Sequence, residues 1–92
     1  MNTLSTRVEH RIKRAISEEF QIPRYLLQPE TIFKEDLGFD EFDMLFLSLA
    51  LEDEFEFLFT EDLKVEEMKD LVKLVSIKLR KSSHLSTHYL AN

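Results

Sequence analysis

Cysteine is absent from this 92-residue chain, so there is no disulfide framework, no thiolate nucleophile and no thiolate metal ligand. Glycine occurs once and proline twice, too few for a protein built of many turns. No apolar run is long enough for a membrane span or the core of a signal peptide, and the cytoplasm is the expected setting. What remains is rich in Leu, Glu, Lys, Ile and Phe, with 43% hydrophobic residues. That composition favours helices around one small core and leaves no room for a second domain. The expected class is all-α.

Charge is distributed unevenly. Residues 1–28 carry five basic and three acidic side chains, residues 29–70 carry three and fifteen, and residues 71–92 carry four and none, for a net charge of −6. So acidic a middle segment repels phosphate backbones, which argues against nucleic acid as a ligand and for a protein partner with a basic surface.

Apolar spacing places the helices. Leu4, Val8, Ile12, Ala15, Ile16 and Phe20 recur at threes and fours and predict a first helix with Arg7, Arg11 and Arg14 on its outer side. Thr6 and Glu9 suggest a capping box there. Pro23 and Pro29 then interrupt the pattern, and residues 21–39 read as a long connection ending near Gly38. Asp40 suits an N-cap, and Glu41 and Asp43 suit the positive end of a second helix running to about Phe55. Phe55, Phe57 and Phe59 alternate like a strand, yet a loop followed by a short helix between Thr60 and Glu67 is the preferred reading. Met68, Leu71, Val72, Val75 and Leu79 predict a last helix ending near Lys81. The domain is thus expected to occupy residues 1–81, with a disordered polar tail over 82–92.

The stretch Asp36-Leu37-Gly38-Phe39-Asp40-Glu41-Phe42-Asp43, together with Ala50-Leu51-Glu52-Asp53-Glu54-Phe55 and the spacing from Arg11-Ile12-Lys13-Arg14 to Asp40, resembles the acyl carrier protein family over about residues 4–81. The family motif is Asp-Leu-Gly, one residue, then Asp-Ser-Leu. Here the match runs through Asp40 and then departs, with Glu41 where the family has serine and Phe42 where it has leucine. The resemblance implies a four-helix bundle of three longer helices and one short one with a long first connection. It also implies a phosphopantetheine arm on the serine, carrying acyl groups between enzymes of fatty-acid, polyketide or lipid synthesis. A phosphodiester to that arm needs a side-chain hydroxyl, whereas a carboxylate would give only a labile mixed anhydride. Phosphopantetheine is therefore expected to be absent, with no other cofactor. Ser48 is followed by leucine but lies well inside the helix, and Ser5, Ser17 and Ser76 have different surroundings, so no shifted site is expected.

Glu41 has two readings, a residue that the helix dipole favours or a permanent charge standing in for the phosphate of a loaded carrier. The second helix is apolar on two sides. Met44, Leu47, Leu51 and Phe55 form a natural core face, and Phe42, Leu45, Phe46 and Leu49 fall opposite. That second stripe either packs under the 21–39 connection or docks a partner, with Asp43, Glu52 and Asp53 as its acidic rim. The resemblance implies that Phe42, Leu45 and Leu49 face outward toward partner enzymes such as a synthase or transferase, and that the position of Phe46 is usually acidic. A homodimer is an alternative occupant. His84 and His88 have helical metal-ligand spacing but no third ligand near, and the acids around Asp40 lack calcium-loop spacing, so no metal is expected. With no phosphate loop and no triad spacing, an enzyme is the least supported class. The leading reading is a non-catalytic protein-interaction module of carrier lineage. Its alternatives are a non-covalent fatty-chain binder and a structural remnant of a carrier that lost its serine.

Overall fold

The computed structural model describes the backbone of residues 3–90 and the side chains of residues 4–81. Helix α1 is Thr3–Phe20, a 3-10 turn follows at Arg24–Leu26, α2 is Phe33–Leu37, α3 is Glu41–Phe55 and α4 is Met68–Leu90. The helical bundle expected from the sequence is present, with three longer helices and one short one. Among the described residues no helix is long and apolar enough to cross a membrane.

On α1, Val8, Ile12 and Ile16 are buried one above another, and this stripe packs against both α3 and α4. Because α1 begins at Thr3, Thr6 lies inside the helix and does not cap it. The other end stops at Gln21, which takes a left-handed φ of 58°, while the Ile22 N–H reaches back to the Ser17 carbonyl at 3.3 Å. Gln21 tolerates that backbone while its side-chain amide donates to the Glu18 carbonyl at 2.8 Å, ahead of Pro23.

The short helix lies in the first connection, at Phe33–Leu37, and not between Thr60 and Glu67 as the sequence suggested. Local chemistry explains the placement. The Ile32 N–H donates to the Asp36 carboxylate at 2.7 Å, and Gly38 closes the helix in the left-handed region at φ 71°. The N–H groups of Gly38 and Phe39 return to the carbonyls of Lys34 and Phe33, which completes a Schellman-type end. Residues 57–67 instead run irregularly: Leu63 is buried in the core and Phe57, Phe59 and Val65 pack against it, and within the pairs Phe57/Phe59 and Leu63/Val65 the inward residues are two apart, which no single helical face provides.

The connection is tied to the start of α4. Ile32 and Glu67 form an isolated antiparallel bridge. The Met68 and Lys69 N–H groups, orphaned at the head of a helix, donate to the carbonyls of Thr31 and Pro29, each at 2.9 Å. Leu27 and Phe33 thereby enter the core beside Leu47 and Leu51 of α3 and Leu71 and Val75 of α4. Phe39 stacks 4.6 Å from Phe20 and 5.7 Å from Phe33, fixing the segment that leads into α3. Helix α4 continues past Lys81, where the apolar periodicity ends, and the expectation for a tail at 82–92 falls on residues whose side chains lie outside the described set.

Candidate functional site

The head of α3 is built by two aspartates. Asp40 accepts the Asp43 N–H at 2.9 Å, and the Asp43 carboxylate accepts the Asp40 N–H at 3.0 Å, a reciprocal capping box. The hydrogen bond from the Asp43 N–H holds the Asp40 carboxyl below its ordinary value, against a desolvation effect that raises it. With the cap made by Asp40, Glu41 stands at the first helical position, exposed and without a side-chain partner among the described residues.

Leu47, Leu51 and Phe55 of α3 are buried and Met44 is half-buried against them, as the spacing predicts. The second stripe does not pack under the first connection. Phe42 is 69% exposed, and Leu45, Phe46 and Leu49 are each about half exposed, at 52%, 50% and 51%. The connection flanks part of this stripe without covering it, since Phe33 and Phe39 are buried in the core beside Phe20.

An open groove of about 1270 Å³ lies between α3, residues 32–39 and residues 59–66. Asp40, Glu41, Phe42, Leu45, Leu49 and Glu52 line its α3 wall. Phe46 and Asp53 do not line it: they lie on a neighbouring strip of the helix, so the sequence-predicted surface divides into a groove wall and an outer ridge. Glu52 is not a free rim charge either, because its carboxylate accepts the Phe59 N–H at 2.8 Å and holds the loop at the groove's far end. Sequence spacing gives no sign of that bond. Ser48 is the only hydroxyl of α3, and it is 9% exposed with its Oγ donating to the Leu45 carbonyl at 2.7 Å.

Elsewhere, Arg11 and Arg14 converge on Glu54, and Arg11 also covers the Phe55 ring at 4.3 Å. Two of the three arginines on the outer side of α1 thus serve the bundle. His84 and His88 lie outside the described side chains. Among the described residues no group of three or more His, Cys, Asp or Glu side chains is placed to hold a metal.

Comparison with known proteins bears on the same features. No protein-family model and no solved structure matches the chain. Two acyl carrier proteins of Nitratidesulfovibrio vulgaris, from strain DP4 and from strain Hildenborough, are each 34% identical to it over 73 residues, 77% of this chain and 96% of theirs. Identity at that level across nearly the whole length of the relatives, on a chain folded as three long helices and one short one, establishes that this chain belongs to the acyl carrier protein family.

Proposed function

We propose that this chain is a member of the family that does not carry phosphopantetheine and acts as a non-catalytic interaction module. The observation that carries the reading is the head of α3, where Glu41 occupies the first helical position, directly after the capping aspartate. In the family motif that place belongs to the serine. A carboxylate there offers no hydroxyl for a stable phosphodiester. Ser48 offers no substitute, since its hydroxyl is buried and bonded within the helix.

The docking surface in this reading is the exposed stripe of Phe42, Leu45, Phe46 and Leu49, bordered by Asp43 and Asp53. An exposed apolar cluster with acidic neighbours matches a partner of complementary, basic and apolar surface, such as a synthase or transferase working in the cytoplasm. Glu41 adds a fixed negative charge where a loaded carrier would present phosphate.

The direct test is mass spectrometry after incubation with coenzyme A and a broad-specificity phosphopantetheinyl transferase. No mass increase is expected. A quantitative gain of one prosthetic arm refutes the reading. Glu41→Ser restores a hydroxyl between Asp40 and Phe42 and is expected to accept the arm. A second reading, a non-covalent fatty-chain binder, draws support from the volume of the groove beside α3, and native mass spectrometry of the purified protein tests it through co-purifying lipid.

A further inference from the structure

A second cavity, of about 390 Å³, lies between α1 and α4 and has the opposite electrostatic character. Its α4 wall carries Lys69, Lys73, Ser76 and Arg80, positions three and four apart and therefore on one helical face. Ile77, 37% exposed, supplies most of the apolar surface between them, with the buried Met68 and Val72 beneath it. From α1 come Ser5 and Glu9, the latter already paired with Lys13 at 2.8 Å.

Ser76 sets this cavity apart from an ordinary basic patch. It is 3% exposed, and its Oγ has no hydrogen-bond partner among the described residues. A helical serine commonly satisfies its hydroxyl on the carbonyl a turn back, and a buried polar atom left unpaired is costly. Lys73 lies one turn before Ser76, and Arg80 one turn after it, and the N-terminal tilt of helical side chains puts the serine within the arginine's reach. Neither cation has an ion-pair partner among the described residues, whereas Lys69 lies 3.3 Å from Glu67. In a chain of net charge −6, residues 71–92 contain no acid to neutralise them.

We propose that this groove binds a small amphipathic anion, with a carboxylate or phosphate head held by Lys73, Ser76 and Arg80 and a short hydrocarbon stem lying on Ile77 and the edge of Val72. The hydroxyl donates to the anion and the two cations neutralise it, each through charge-assisted contacts. The cavity falls in the size range of small-molecule sites. It is separate from the groove beside α3, whose α3 wall carries Asp40, Glu41 and Glu52.

Amide chemical-shift titration of the intact protein with hexyl phosphate, hexanoate, inorganic phosphate and hexylammonium, at constant ionic strength, tests the proposal. Saturable shifts are expected for hexyl phosphate or hexanoate, centred on residues 69–80 and the first turns of α1, with the tighter ligand identifying the head group. Lys73→Ala and Arg80→Ala should each weaken binding roughly tenfold, and Ser76→Ala by several-fold, in line with hydrogen bonds to a charged group. Ser76→Ala should also melt no lower than the parent, which separates a ligand-binding hydroxyl from a structural one. The proposal is overturned by any of four results: no saturation with either amphiphile, equal shifts with hexylammonium, inorganic phosphate binding as tightly as hexyl phosphate, or unchanged affinity in Ser76→Ala.

Discussion

Arg11 holds Glu54 twice, donating through Nε to its carboxylate at 2.8 Å and through a terminal nitrogen to its backbone carbonyl at 2.6 Å. The same guanidinium covers Phe55, so one side chain of α1 closes the C-terminal turn of α3 by charge, hydrogen bond and ring contact. A cation at that end also opposes the negative pole of the helix. Arg11→Ala is expected to cost about 1–2 kcal/mol in urea unfolding, above the range for an isolated exposed pair. Arg14→Ala, which loses one 3.0 Å contact to the same carboxylate, should cost less than about 1 kcal/mol. Equal losses in the two variants would remove the special role assigned to Arg11.

The span of α3 and the division of its faces are legible in the sequence, because Asp40 and Asp43 are local capping residues and Leu47, Leu51 and Phe55 repeat at helical spacing. Arg11 and Glu54 are forty-three positions apart, and nothing in their local sequence marks them as partners. The position of the short helix is hidden for a related reason. Residues 33–37 contain only Phe33 and Leu37 as apolar residues, too few for a periodic signal, and their helix depends on Asp36 reaching back to Ile32 and on Gly38 turning left-handed. The groove beside α3 was half visible. Its Phe42, Leu45 and Leu49 wall follows from periodicity, but the rest comes from residues 32–39 and from residues 59–66, whose course depends on the Glu52 bond to Phe59.

Acid should loosen the head of α3. The Asp43 N–H lowers the Asp40 pKa in the folded state, so the charged carboxylate favours folding. That contribution is fully present above the ordinary aspartate value of about 4 and is lost as the pH falls through the lower folded value. Asp40→Asn keeps a capping oxygen without the charge. Its melting temperature should lie below the parent's at neutral pH, and the gap should close only as the pH falls through that lower folded value. Parallel melting curves for the two proteins across that range would contradict the assignment.

Gly38 tests whether the end of α2 is set by backbone conformation or by space. Its φ is 71°, yet nothing lies within 4 Å of where a β-carbon would sit. Gly38→Ala should therefore be destabilising by about 1 kcal/mol through left-handed strain alone. Gly38→Asn should lose less, since asparagine visits that region more readily. Chemical denaturation of both variants checks the order, and a much larger loss in either would indicate a contact that the folded chain must break.

Phe46 decides whether the exposed face of α3 is used. It is half exposed, lies off the groove and makes no aromatic ring contact among the described residues, so the fold gains little from it. Phe46→Glu should leave the helical circular dichroism and the melting temperature close to the parent's, with a stability change within about 0.5 kcal/mol as for other surface substitutions. Leu47→Glu is the contrasting control, because Leu47 is completely buried and a carboxylate there should unfold the bundle. If the ridge is a docking surface, Phe46→Glu should nevertheless weaken self-association or capture of a synthase or transferase by about 1–2 kcal/mol, the range for losing a central aromatic anchor. Sedimentation equilibrium measures the first and surface-immobilised capture the second. Should both stay unchanged while the fold is intact, the ridge is idle, and the interaction surface reduces to the groove wall of Phe42, Leu45 and Leu49, where the acidic pair Asp40 and Glu41 would then set the choice of partner.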